Sequence, residues 1–354
     1  MYKYYEKKGE IVKRDSRIDL LRSVAIVLIL LAHVYPPNFL FQIRTFDVPL
    51  MAFLMGASYV LSERKSKKEQ FHKYLWKRFK RLIIPAWIFL TLYFVLMWVG
   101  VLFLNREYPF TTEIIRTSYT LESGINYVWI IRVFFIISIL SPVIYFLTQK
   151  SNTILKVTGL LLILLAIQIV LCDISGNMIG HTKEIFQSYI AIPFGYCIAA
   201  FVGMKASEQG IRKNIQLSLI LVFIFILSGL NVNFGQLQMF KYPPSPYFLA
   251  YGIGVSLILY TILSNRKIEA GISKFNILTW MSKHSLEIYY WHIFAISVLN
   301  QIRPETSWRG KFVIILIGSI LVTAIQVYIF PNLLSGKFSL KKYQVETSST
   351  YEDY

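Results

Sequence analysis

Long apolar runs separated by short polar stretches set the pattern of this chain. Measured against the roughly 20 apolar residues needed to cross a bilayer, they predict ten spanning helices, at about 18–36, 42–62, 82–104, 123–148, 153–173, 184–204, 213–231, 244–265, 283–301 and 311–334. The first run is too long, and preceded by too many mixed charges, for a cleaved signal peptide, and a retained helix is expected. The fold class that follows is an all-α polytopic membrane protein with about ten transmembrane helices. It has one membrane domain over residues 18–336, a basic tail at 1–17, and a tail at 337–354 whose polar composition predicts disorder.

Composition supports the membrane reading: 55% of residues are hydrophobic and 16% aromatic, and the mean hydropathy is +0.52, outside the range of soluble domains. The net charge of +18 suggests a polyanionic partner until its distribution is examined. Of 37 Lys and Arg residues, 27 fall on the side of the N-terminus, eight on the opposite side, and two, Arg22 and Arg132, within spans. That is the positive-inside pattern. Both termini are expected in the cytoplasm, the protein in the inner (cytoplasmic) membrane among its lipids, and nucleic acid is dropped as a partner. Cys172 and Cys197 lie in separate predicted helices, with no Cys-x-x-Cys motif, His/Cys cluster or phosphate-binding glycine loop. Neither a metal site nor a permanently bound cofactor is expected.

The cytoplasmic segment from Glu63 to Arg81 carries nine basic residues against two acidic ones. Phe71, Tyr74, Leu75, Phe79 and Leu82 recur at helical spacing, which predicts a helix lying on the inner membrane surface. Arg78 and Arg81 point the same way along it. Two guanidiniums on one face form a grip for phosphate, and they also serve simple attraction to anionic headgroups.

Arg22 and His33 stand eleven residues apart in the first span. Eleven residues is close to three turns, so both share one face, about 16 Å apart along the axis. Ionisable groups inside a spanning helix are expensive and point to a functional path. Asp19, one turn before Arg22, offers a local ion-pair partner as the plainer explanation.

Taken together, several segments resemble the acyltransferase-3 family of integral membrane acyltransferases. The opening stretch Asp19-Leu-Leu-Arg22-Ser-Val-Ala-Ile with its Arg22-x10-His33 spacing is similar to the family's first motif. Asp47-Val-Pro-Leu-Met-Ala-Phe-Leu-Met-Gly56 resembles its second helix, and Arg78-Phe-Lys-Arg81-Leu-Ile-Ile-Pro85 its Arg-x-x-Arg with a downstream proline. Tyr127-Val-Trp129 and Ser285-Leu-Glu-Ile-Tyr-Tyr-Trp-His292 are similar to two further signatures. Met55 departs from the pattern, standing where serine is usual, and Ile130 stands where Phe is common.

The resemblance implies transfer of an acyl group, most often acetyl from cytoplasmic acetyl-CoA, to a hydroxyl of a cell-envelope or exported polysaccharide or lipid-linked glycan. On that reading His33, about 24 Å along the helix from Arg17, is the catalytic base or a transiently acylated nucleophile. Arg22 binds the donor or organises the site, and Arg78 and Arg81 hold the acyl-CoA phosphates. Asp47, Trp129 and Arg132 are assigned to the acceptor side. For His292, a second base, an orienting group for His33 and a packed core histidine stay open. A different class, a transporter or flippase for polysaccharide or lipid-linked sugar, also suits ten helices with buried cations. Against it stands the lack of repeat symmetry and of clustered intramembrane carboxylates.

Overall fold

The computed structural model describes residues 6–7, 10–11, 15–63, 70–125, 127–265, 268, 271 and 275–329. The expected tail at 337–354 and residues 64–69 of the basic segment lie outside them. Apart from a two-residue antiparallel ladder, Glu6–Lys7 with Glu10–Ile11, the long elements are helical. The chain begins with α1 (Ser16–Ala32), α2 (Asn38–Ile43) and, after one 3-10 turn, α3 (Asp47–Glu63). It continues through α4 (Phe71–Phe103), α5 (Thr112–Tyr119), α6 (Trp129–Lys150) and α7 (Ile154–Asn177). Next come α8 (Gly180–Phe186), joined by a π turn at Gln187–Ala191 to α9 (Ile192–Glu208), then α10 (Ile211–Asn231) and α11 (Pro246–Ile262). The last three are α12 (Asn276–Lys283), α13 (Ser285–Ile302) and α14 (Trp308–Tyr328).

Helix starts are set by local chemistry. Asp15 accepts the Arg17 amide at 3.0 Å to cap α1, and Ser245 accepts the Phe248 amide ahead of Pro246 to cap α11, side-chain oxygens taking up amides with no partner in the first turn.

Among the described residues, seven helical stretches are long and apolar enough to cross a membrane. They match seven of the ten expected segments. Helices α1, α11 and α13 occupy the other three, with 17, 17 and 18 residues. Two of these are the polar ones: α1 carries Arg17, Asp19 and Arg22, and α13 carries Glu287, His292, Asn300 and Gln301.

Apolarity and burial run in opposite directions. The most apolar windows of α7, α10 and α14 are only 22, 28 and 17% buried, at hydropathies of 2.6, 1.9 and 2.1. Those of the α2–α3 and α8–α9 stretches are 67 and 61% buried at 1.3 and 1.6. Surfaces meeting lipid must be apolar, whereas interior surfaces can carry polar groups if these are partnered.

The centre of the bundle is the crossing of α3 and α9. A Cβ placed on Gly56 would lie 2.0 Å from the Ala200 carbonyl oxygen, and one on Gly203 would lie 1.9 Å from that of Phe53. Two glycines thus let the backbones touch, the small-residue packing that holds helices together where lipid offers no hydrophobic drive. Around this pair sit α1 against α3, α6 against α9, and α11 against both.

The basic segment departs from expectation. Its described part is not a separate surface helix but the first turns of α4, a continuous helix of 33 residues through Pro85, about 50 Å long. Tyr74 of that face turns into the protein: its hydroxyl donates to the Ser138 carbonyl at 2.8 Å, and its ring packs edge-on against Tyr59. These tertiary contacts, which a 3.6-residue periodicity does not distinguish from contacts with lipid, anchor it to the bundle.

Replacing Gly203 by Ala is expected to lower stability by about 1–3 kcal/mol, because the added methyl meets backbone that has no rotamer to yield. Gly100→Ala, where nothing lies within 4 Å of the new methyl, is the control. Thermal unfolding of both variants in one detergent checks the difference.

Candidate functional site

Helix α1 carries the site along its length. At its N-terminal half, Arg22 lines a narrow cavity of about 160 Å³ bounded by α3, α4, α6 and α12–α13. Arg78 and Arg81 of α4 line it too, with Ser58, Ser138 and Ser282 among its polar walls and, among the described residues, no acidic side chain in its lining. Arg22 is clasped by two serines: its guanidinium donates to Ser58 Oγ at 3.0 Å and to Ser282 Oγ at 3.3 Å. Ser282 in turn donates to Asp19 Oδ1 at 2.7 Å, so the buried carboxylate reaches Arg22 through a hydroxyl bridge. Arg78 lies over the Tyr74 ring, 5.0 Å from its centroid. Met55 lines the same cavity, so the position that departs from the family's serine presents a thioether there.

His33 ends α1 as its C-cap residue and lines a second, larger cavity of about 590 Å³ with Arg44, Asp47, Tyr127, Trp129 and Lys241. Ile29, Ile130 and Tyr289 line both cavities. The two spaces therefore meet at a common wall, and Arg22 and His33 face different sides of it. Among the described residues, no cluster of three or more His, Cys, Asp or Glu side chains is placed to hold a metal ion.

The protonation state of His33 follows from its neighbours. His33 Nδ1 lies 2.8 Å from His292 Nε2, with the ring planes within 12°. His292 is wholly buried, and its Nδ1 is hydrogen-bonded to the main-chain carbonyl of Tyr289. A carbonyl only accepts, so in the neutral ring Nδ1 of His292 carries the proton and Nε2 holds a lone pair. That lone pair requires a donor. His33 Nδ1–H supplies it, which puts the lone pair of His33 on Nε2, the arrangement by which an orienting partner selects a tautomer. Tyr127 packs edge-on against His33 at 4.7 Å and its carbonyl accepts the Tyr289 hydroxyl at 2.5 Å. His33, His292 and Tyr289 therefore form one connected unit.

Across the cavity, Asp47 pairs with Arg44 at 2.6 Å, the two side chains being 1 and 3% exposed. Asp47 Oδ1 also accepts the Val48 amide, and the Arg44 guanidinium lies over the Phe41 ring at 4.3 Å.

The structure thus gathers Arg22, Arg78 and Arg81 at one cavity and His33, Asp47 and Trp129 at the other, with His292 directly behind His33. It does not place Arg132 at either. That side chain is buried, does not line the second cavity, and sits over the Tyr189 ring from the π turn at 4.6 Å. The π turn supplies an aromatic face that partly replaces water around a guanidinium within the bundle, which is why this cation does not need the cavity. Sequence reasoning missed Arg44, Lys241 and Tyr289. The i,i+3 spacing of Arg44 and Asp47 was a usable signal, whereas Lys241 comes from a distant loop and carried none.

A family model described as an acyltransferase domain matches residues 15–328, most of the chain. The chain belongs to the acyltransferase-3 family. Family membership and the apolar helices together indicate a multi-pass membrane acyltransferase. No curated protein matched the chain in a parallel comparison. In this family member, the segments quoted from the sequence converge on the two abutting cavities, and the late Ser285–His292 segment supplies the residue that contacts His33.

Two measurements check the site. In 15N-histidine spectra near pH 7, His33 is expected to show a protonated Nδ1 and an unprotonated Nε2; the reverse tautomer would contradict the relay. Arg44→Met alone is expected to cost about 3–5 kcal/mol by stranding a buried carboxylate, and Arg44→Met with Asp47→Leu less than that, read from thermal unfolding in detergent.

Proposed function

We propose that this protein is an O-acetyltransferase that moves an acetyl group from cytoplasmic acetyl-CoA to a hydroxyl of a cell-envelope or exported glycan. All ten long apolar segments cross the membrane on this reading, with both termini in the cytoplasm, in line with the 27-to-eight partition of basic residues. The Arg22 cavity then opens toward the cytoplasm and the His33 cavity toward the opposite face.

The observation that carries the reading is the relay from the Tyr289 carbonyl through His292 to His33 Nδ1, which favours a lone pair on His33 Nε2, beyond a cavity lined by three arginines. Coenzyme A is polyanionic. Arg78 and Arg81, with Arg22 behind them, hold its phosphates by charge-assisted bonds, and the pantetheine arm threads the narrow cavity to bring the thioester to the common wall. There His33 Nε2 takes the proton of the acceptor hydroxyl as its oxygen attacks the thioester carbonyl. The tetrahedral adduct expels the coenzyme A sulfur, which receives that proton from His33, and the ester stays with the glycan. His292 accepts the Nδ1–H bond throughout and steadies the imidazolium. The same lone pair also serves direct attack on the thioester, which would leave an acetyl group on His33 when acceptor is withheld.

Full-length protein in nanodiscs, given acetyl-CoA and a mixture of envelope glycans, is expected to release coenzyme A in an acceptor-dependent way. His33→Ala is expected to lower kcat by about 10²–10⁴-fold while acetyl-CoA still binds. The Arg78→Ala/Arg81→Ala variant is expected to weaken acetyl-CoA binding by about tenfold or more. Release unchanged in His33→Ala, or wild type that neither binds acetyl-CoA nor releases coenzyme A while carrying labelled glycan across proteoliposomes, would sink the enzyme reading in favour of a carrier.

A further inference from the structure

The His33 cavity contains a cation with no stated task. Lys241, in the loop between α10 and α11, is 6% exposed and lines this cavity. Its ammonium lies 5.3 Å from the centroid of the Tyr242 ring and 6.0 Å from that of Trp129, and those two rings pack edge-to-face at 5.3 Å. Among the described residues, no carboxylate is within ion-pair distance of Lys241 and no oxygen accepts a hydrogen bond from it. Among the described residues, Asp47 is the one acidic side chain lining the cavity, and Arg44 holds it at 2.6 Å.

The loop is built to hold this position. The Gln238 amide donates to Gln42 Oε1 at 3.0 Å, Lys241 bridges to Pro244, and the Ser245 amide donates to the Phe240 carbonyl at 2.9 Å. The Tyr247 hydroxyl closes onto the Gly235 carbonyl at 3.2 Å. A lysine that merely marked a polar loop would point to water. This one is tied down with its charged end in the cavity.

With Arg44 and Asp47 cancelling, the cavity carries one net positive charge, at Lys241. While the cavity holds water, that water solvates the ammonium. An acceptor that fills the cavity displaces it, and the aromatic faces compensate only in part for a desolvated ammonium. A neutral sugar therefore strands the charge; a sugar bringing its own anionic group completes it. We infer that the acceptor is an acidic sugar, whose carboxylate or phosphate is bound by Lys241 between Trp129 and Tyr242 while a hydroxyl of the same molecule meets His33. This inference rests on the acyl-transfer reading only for the role of His33; the charge selection at Lys241 stands on the cavity itself.

The test uses the full chain in nanodiscs and three radiolabelled probes in equilibrium dialysis: galactotriose, trigalacturonate and galactotriose 6-phosphate. Wild type is expected to bind at least one anionic probe about tenfold more tightly than galactotriose, the range of a charge-assisted bond. The carboxylate and phosphate arms show which anion is preferred. In Lys241→Met the ratio of anionic to neutral affinity is expected to fall to near one, and in Lys241→Arg to persist. Because the ratio is read within one variant, a general loss of folded protein cancels. Equal binding of charged and neutral probes, no binding of either anionic probe, or a preference that survives in Lys241→Met overturns the inference. A Lys241-dependent preference without coenzyme A release would instead sink the enzyme reading alone, and His33-dependent release without any charge preference would sink only the acidic acceptor.

Discussion

Everything in this bundle is hung on the contact between two backbones. At the crossing of α3 and α9, Gly56 and Gly203 bring carbonyls of the opposite helix into the space a side chain would occupy. Helix association inside a membrane has no hydrophobic drive of the aqueous kind, so close packing must supply the cohesion. With this pair locked, α1 and α11 lean on α3 and α6 leans on α9. The helices α7, α10 and α14 stand at the periphery, their apolar windows the least buried of the seven. Several polar side chains are kept at depth by a partner that a neighbour supplies: a serine clasp for Arg22, a guanidinium for Asp47, a tyrosine ring for Arg132.

The two ends of α1 do different work. Around Arg22 the surroundings are cationic and hydroxyl-rich and suit a phosphorylated ligand. Around His33 they are aromatic and amphoteric, with an imidazole held by a chain of two hydrogen bonds ending on a backbone oxygen. Ending the relay on a main-chain carbonyl rather than a carboxylate has a physical meaning. A carbonyl cannot be protonated at ordinary pH, and it adds no full negative charge to a buried site. Tautomer selection is achieved here without the desolvation cost that a buried aspartate would bring.

Much of the fold was legible because the periodicity of apolar runs reports directly on helices, and every expected segment is helical in the structure. The alignment of Arg22 with His33 was legible for the same reason, since both lie on one helix. The partner of His33 was suggested only by a family resemblance. His292 is 259 residues away in sequence, and no local pattern links the two rings. Lys241 was still less accessible, since a lysine in a loop reads as solvated until the loop's path is known. The basic segment was misassigned for a related reason. Amphipathic periodicity shows that a helix has an apolar face but not what covers it, and Tyr74 finds Ser138 and Tyr59 where lipid was expected. Arg132 failed as a cavity residue because its depth was readable but its direction was not.

Ile29, Ile130 and Tyr289, which line both cavities, put no charged side chain on the wall they form, and an uncharged wall bears on electrical insulation. A cell membrane holding a potential of about 100 mV charges roughly 2.3 kcal/mol for each elementary charge moved across it, and any continuous wet path would dissipate that potential through ions. An apolar and phenolic wall between the two cavities disfavours an ion at that point. What passes, on the proposed reaction, is an uncharged acyl group handed over at the wall, while the anionic coenzyme and any anionic acceptor each remain on their own side. The membrane is then breached chemically but not electrically. Thinning that wall, by shortening Ile29 or Ile130, would turn the question from catalysis to conductance.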